Sequence, residues 1–131
     1  MVRITTAALA VLAGAALLAG CGGEQLNDVS GTITYDGNPI PKGIIFFDPA
    51  KGTPGTSGNA NIENGKYNTG AAGQGKGVRG GGKYHVRILG YTGVPTPDYP
   101  FGKELFPEYT FTHELPAQAQ TFDYDVKKGK K

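Results

Sequence analysis

The sequence predicts an all-β domain, a single six- or seven-stranded antiparallel β-sandwich spanning residues 29–126. Three observations predict it. Short runs of alternating apolar and polar residues recur along the chain, with the period of a strand that buries one face. Turn signals separate them, and 22 Gly and 9 Pro among 131 residues put the chain just under the level at which an aperiodic sequence stays disordered. Seven Tyr, six Phe and a formal net charge of only +2 argue for a packed core instead. No part of the body carries a 3.6-residue apolar period over a helix length, which disfavours a large α/β catalytic domain. The lone Cys excludes an intrachain disulfide and a four-ligand Cys/His zinc site.

The chain begins with an address rather than with structure. Arg3 is the only charge before Glu24, and Ala7 to Ala19 is an unbroken apolar and glycine run. A helix of that length reaches ~20 Å, too short for the ~30 Å hydrocarbon core but right for a signal-peptide h-region. Residues 1–20 are therefore expected to be a cleaved signal. The run ends Leu18-Ala19-Gly20-Cys21, which resembles the bacterial lipobox. The resemblance implies that the Cys21 thiol is alkylated with diacylglycerol, that cleavage follows Gly20, and that the new Cys21 amine is acylated. Leu18, Ala19 and Gly20 are then the peptidase-recognition residues. Thiolate is the strongest side-chain nucleophile for the thioether, and two or three acyl chains anchor stably where one does not. Gly22 rather than Asp follows Cys21, and by the same resemblance this favours the outer membrane in a two-membrane cell.

Residues 21–28 read as a polar, Gly-rich flexible tether. From Val29 to Tyr35 the chain alternates, and Asp36-Gly37-Asn38-Pro39 breaks the run, Asp-Gly supplying the positive φ of a tight turn. Gly43 to Asp48 is a compact apolar run whose aromatic and β-branched content suits a buried strand. A hairpin is expected at 58–69, where Asn59–Ile62 and Lys66–Thr69 flank Asn64-Gly65. Lys83 to Ile88 alternates with Tyr84, Val86 and Ile88 inward, and Thr121 to Val126 with Phe122, Tyr124 and Val126. A shorter strand is placed near Thr110–Leu115. The anticipated core is Ile33, Ile44, Phe46, Ile62, Tyr67, Tyr84, Val86, Ile88, Phe122 and Tyr124. Behind this body, 127–131 form a basic tail with four Lys, whereas the stretch from Cys21 to Val126 holds 8 basic against 11 acidic residues. No basic face remains for nucleic acid. The tail reads as a solvated terminus, or as a contact for anionic headgroups.

Three segments together resemble the carboxypeptidase regulatory-like group. Val29 to Phe47 is similar to its opening hairpin, a V-x-G-x-V strand turning at D-G-x-P. Asn64-Gly65-Lys66-Tyr67 matches the turn usually written D-G-x-Y, and Gly82 to Ile88 matches a G-x-Y-x-V strand. The resemblance implies a seven-stranded transthyretin-like (prealbumin-like) sandwich with an accessory role, and it carries no catalytic residue. Two departures stand out: Gly58 to Asn64 replaces an Asp-rich run, and a Gly-rich loop expands the connection before Gly82.

The chemical motifs are sparse. Gly70 to Gly77 fits G-x4-G-K but has Gly77 where Ser or Thr would hold magnesium, and Gly75 to Gly80 spells G-x-G-x-x-G. Both phosphate motifs need a helix after the loop, and here the loop lies between strands, so no nucleotide is expected. His85 alternates outward with Lys83 and Arg87. His113, Glu114, Asp123 and Asp125 would form an oxygen-rich metal site only if the last two strands converge; a wet strand face is the simpler reading, and no metal or other cofactor is expected. Ser30 and Ser57 lack a nucleophile-elbow context. The segment from Tyr91 to Phe111 carries Tyr91, Tyr99, Phe101, Phe106, Tyr109 and Phe111 among four prolines. It is either a ligand ridge, with rings stacked on sugar faces, or a Pro-stiffened connection packed over a small core.

The function expected from these features is that of a non-enzymatic, lipid-anchored protein of the cell envelope with an accessory or interaction domain. Its partners would be the membrane, through the lipid, and an envelope protein or glycan. The alternative is a carbohydrate- or peptide-binding module that uses the 91–111 aromatics.

Overall fold

The computed structural model describes residues 26–70 and 75–129. The signal peptide, the Leu18–Cys21 motif and most of the tether lie outside the described residues. Among those described there are ten strands and no helix: β1 Val29–Tyr35, β2 Asn38–Pro39, β3 Lys42–Pro49, β4 Gly58–Glu63, β5 Lys66–Asn68, β6 Gly75–Lys76, β7 Gly82–Tyr91, β8 Tyr109–Leu115, β9 Gln120–Thr121 and β10 Tyr124–Val126.

Hydrogen bonds join seven of them in the order β10-β1-β5-β4-β3-β7-β8, with β2 and β9 added beside β1 and β6 beside β4. Pairing is antiparallel except at one edge, where β9 and β10 run parallel to β1. The two turns marked in the sequence form as Asp-Gly and Asn-Gly dictate. Asp36 and Gly37 have φ of 49° and 84°, and Asn64 and Gly65 have 50° and 78°, the left-handed pair that a two-residue hairpin turn requires.

The sheet curls into a half-barrel around one core, and its two edge strands meet through side chains. Tyr109, Phe111 and His113 project from one face of β8 towards Phe122 and Tyr124. Phe111 stacks on Tyr124 with centroids 4.3 Å apart and planes 13° apart, and His113 lies 4.4 Å from Phe122. The hydroxyls of Tyr109 and Tyr124 are 3.0 Å apart. This aromatic seam closes the open side of the curl. Gly31 belongs to the same closure, because the Phe122 carbonyl occupies the space where a Cβ would stand. The Tyr67 hydroxyl donates to that carbonyl at 2.7 Å, and burial pushes its pKa up.

The core consists of Val29, Ile33, Ile40, Ile45, Phe47, Ala60, Ile62, Tyr67, Val78, Tyr84, Val86, Ile88, Phe106, Leu115 and Val126. Two anticipated members face the other way: Ile44 and Phe46 lie on the outer face, and Ile45 and Phe47 take the interior. The cause is cross-strand register. β7 alternates without ambiguity, and Ile45 pairs with Ile88, Phe47 with Val86 and Pro49 with Tyr84. Directly opposed residues of a ladder share a face, so β7 fixes the parity of β3. Phe122 and Tyr124 are half-buried at the seam, at the margin of the core rather than inside it.

The half-barrel has two distinct ends. Asn27 enters at one end, where its N–H donates to Val78 O at 2.7 Å and its carbonyl accepts from Val78 N at 2.9 Å. The loops 50–57, 77–81 and 116–119 share this entry end. The turns at Asp36-Gly37 and Asn64-Gly65, the segment 92–108 and the start of the C-terminal tail share the opposite one. The ten residues of β7 separate the two ends by about 30 Å at ~3.3 Å per residue.

Candidate ligand cleft on the outer sheet face

The reversed parity of β3 leaves apolar side chains outside. Lys42, Ile44, Phe46 and Asp48 of β3 stand beside Asn61 and Glu63 of β4 and beside Arg87, Leu89 and Tyr91 of β7. Nearer the entry end Arg87 covers this face. Its guanidinium sits 4.4 Å from the Phe46 ring centroid, donates to Asp48 at 2.8 Å and reaches Glu108 at 3.6 Å. Burial works to raise the Asp48 carboxyl, but hydrogen bonds from Ser57 and Arg87 and the Arg87 charge outweigh it, so its pKa is held below the usual value.

Towards the far end the face is open. A cleft of about 140 Å³ lies there, lined by Lys42, Ile44, Asn61, Glu63, Tyr91 and Phe101 with the backbone of Gly43 and Ile62. Lys42 and Glu63 close one side as an ion pair of 3.0 Å. Tyr91, the cross-strand neighbour of Lys42, forms an aromatic wall with Phe101, with centroids 6.2 Å apart and planes tilted by 39°.

Phe101 is held in place by a folded-back loop. Between β7 and β8 the chain reverses on itself: Thr92 N–H donates to Lys103 O, Gly93 N–H to Phe101 O, and Thr96 and Tyr99 bond each other in both directions. Leu105 N–H donates to Gly90 O at 2.9 Å, and the Phe106 ring packs where a Gly90 side chain would be. The projecting part exposes Val94 (66%), Tyr99 (50%) and Phe101 (60%).

The six aromatics of 91–111 therefore divide by role. Phe106 is buried against Tyr35, with centroids 4.9 Å apart, and Tyr109 and Phe111 belong to the seam. Tyr91 is half-buried, and only Tyr99 and Phe101 stand free in solvent. A continuous ridge does not form; a two-ring wall does. Ile44, Asn61, Lys42 and Glu63 were not legible as part of a site, because each lies more than twenty residues from the aromatic segment. The one available signal was the unbroken apolar run at 44–47, which one buried face cannot absorb.

The other chemical candidates do not assemble. His113 packs on Phe122. Asp123 accepts from Thr32 N–H at 2.7 Å, and Asp125 from Thr34 Oγ1 at 2.6 Å and Gly37 N–H at 2.9 Å. Among the described residues no three of His, Cys, Asp and Glu gather as metal ligands. The Lys127 ammonium, the Thr34 hydroxyl and the Gly37 N–H hold the Asp125 carboxyl down at about 2. His85 lies 3.4 Å from Thr112 Oγ1 on the outer face. In the glycine loop, Gly75–Lys76 forms β6 against β4 and Val78 is buried, so the chain after Gly75 is extended where a phosphate motif needs a helix.

No protein-family model matches the chain, and no curated protein matches it. Among solved structures, a 9R-lipoxygenase from Cyanothece PCC8801 is similar over 79% of this chain, at 16% identity and a TM-score of 0.39. The chain spans 16% of the length of that enzyme.

Proposed function

We propose that the protein is a non-enzymatic, lipid-anchored component of the cell envelope whose β domain acts as an accessory binding module. Cys21 carries the lipid, and Leu18, Ala19 and Gly20 present it to the signal peptidase. The outer membrane is the favoured location, since Gly22 rather than Asp follows Cys21. The domain belongs on this reading with the transthyretin-like sandwiches of the carboxypeptidase regulatory-like group, the halves of the curled sheet facing each other as its two layers.

One observation carries the reading. The chain enters the domain at one end, through Asn27 against Val78, and the open cleft with its two-ring wall sits at the other. Only four residues lie between Cys21 and Leu26, so the span reaches at most roughly 18 Å. An anchor at Cys21 therefore holds the entry end near the bilayer and turns the cleft away from it. Asp48, Asp125, Tyr67 and Tyr124 are each engaged in contacts that hold the sheet together, which fits a structural role for these four groups.

Anchoring is tested by mass spectrometry of the native N-terminus and by detergent phase partition. The expected result is an acylated Cys21 in the detergent phase, with Cys21→Ala accumulating as a full-length precursor. An unmodified N-terminus at any other residue would overturn the reading.

A further inference from the structure

We infer that the cleft binds one neutral sugar ring, a terminal or branch pyranose of an envelope polysaccharide, held between the Tyr91–Phe101 wall and the polar rim of Asn61, Lys42 and Glu63. This deepens the binding role proposed above and rests on it. Four observations select that ligand class.

The first is size. At about 140 Å³ the cleft falls below the ~300–1,000 Å³ of pockets that hold drug-sized ligands or cofactors, so it takes a single ring. The second is the disposition of the rings. The 39° tilt between Tyr91 and Phe101 makes an angled wall rather than a flat platform, which suits one ring placed in the angle and not a row of stacked sugars. A pyranose has an apolar C–H face to lay against such a wall.

The third is the rim. Lys42 and Glu63 neutralise each other at 3.0 Å, so the cleft offers donors and acceptors without net charge, and the Asn61 amide adds one acceptor and two donors. Adjacent hydroxyls of a sugar edge use both kinds of group. A charged ligand would instead have to compete with the ion pair for one of its members.

The fourth is the position over interior strands. β3 is paired on both sides, by β4 and β7, and beyond Ile88, where pairing with β8 ends, the other side of β7 is covered by the returning chain, through the Tyr91–Glu104 bridge and the Leu105 N–H donating to Gly90 O. Among the described residues, β3 and β7 therefore offer an extended peptide no free edge beneath the cleft, so recognition over these two strands comes from side chains. The cleft also lies about 30 Å along β7 from the entry end, where a polysaccharide standing off the membrane is within reach.

The experiment uses the full acylated protein in detergent micelles, retained on immobilised neutral glucan, galactan, mannan and xylan, on an anionic polysaccharide and on a panel of extended peptides. We expect retention on at least one neutral polysaccharide, released by the matching methyl pyranoside. Phe101→Ala weakens it by about tenfold, the equivalent of one lost stacking contact, and Asn61→Ala by about tenfold, the equivalent of one lost hydrogen bond. Tyr99→Ala, exposed on the same loop but outside the cleft, changes it by less than about twofold. Phe101 is exposed, so its removal leaves the fold intact, which urea unfolding verifies. Absence of retention on every neutral polysaccharide overturns the inference, as does retention that Phe101→Ala and Asn61→Ala leave unchanged. Binding confined to the anionic polymer or to the peptides overturns it as well. Anchoring is read separately from the N-terminus of the same preparation, so loss of the sugar assignment and loss of the lipid assignment are told apart.

Discussion

Adjacent phenylalanines on one strand give a direct measure of the register that creates the cleft. Phe47 is fully buried, and Phe46 lies on the outer face under Arg87. Phe47→Ala removes a ring from a packed interior and leaves a cavity behind, at a cost of about 3–5 kcal/mol. In Phe46→Ala the vacated space opens to water, so no cavity persists. The cost is the transfer of a partly buried ring plus a cation–π contact of ~0.5–1 kcal/mol, together about 1–2 kcal/mol. With a urea m-value of ~1.5 kcal/mol/M for a small domain, the midpoint falls by ~2–3 M for Phe47→Ala and by ~1 M for Phe46→Ala. Tyrosine fluorescence follows the transition, since the chain has 7 Tyr and no Trp. Phe47→Leu and Phe46→Leu repeat the comparison at smaller cost should the first variant lie close to unfolding. Equal midpoints, or a larger loss at Phe46, would refute the register and with it the outer-face cleft.

Two further perturbations probe the closure of the curl. Asp125 has a folded-state pKa lowered to about 2 by Lys127, Thr34 and Gly37. Its contribution is therefore present above the usual carboxylate value of 3.8 and is lost as pH falls from there through 2. Asp125→Asn should flatten the stability of the protein over that acid window, as measured by urea titrations at stepped pH; an unchanged slope would separate Asp125 from the pairing of β10 with β1. At the seam, Tyr109→Phe and Tyr124→Phe each remove the shared hydroxyl contact and should each cost about 0.5–1.5 kcal/mol. In the double variant the two costs should not add, because both delete one hydrogen bond. Additive losses would place the two hydroxyls with different partners. Burial and the Tyr109 hydroxyl push the Tyr124 phenol up to about 12, so an ultraviolet titration of Tyr109→Phe should show that ionisation moving down.

The sequence was most legible where structure is local. Asp36-Gly37 and Asn64-Gly65 announce their turns through residue types that accept positive φ. Tyr84, Val86 and Ile88 announce their buried face through strict alternation, and all three are fully buried. The run Ile44-Ile45-Phe46-Phe47 carries no such information, because apolar residues fill both parities. Either face satisfies its composition, and the choice rests on Ile88 and Val86, about forty residues away. The aromatic segment is similar. Phe106, Phe101 and Phe111 are chemically identical, yet one seals the core against Tyr35, one stands in solvent and one stacks in the seam. Their places follow from the backbone bonds that fold 92–103 back on itself and from the approach of β10 to β8.

By itself the sequence determined the all-β class, the two left-handed turns and the inward face of β7. Each of these depends on a period of two or on the sterics of a single residue. Only the tertiary structure decided which side of β3 faces water, which aromatics join the seam, and that Asn61, Lys42 and Glu63 share a cleft with Tyr91 and Phe101. These features depend on the register between strands distant in the chain, and a register has an energy only once both strands are present.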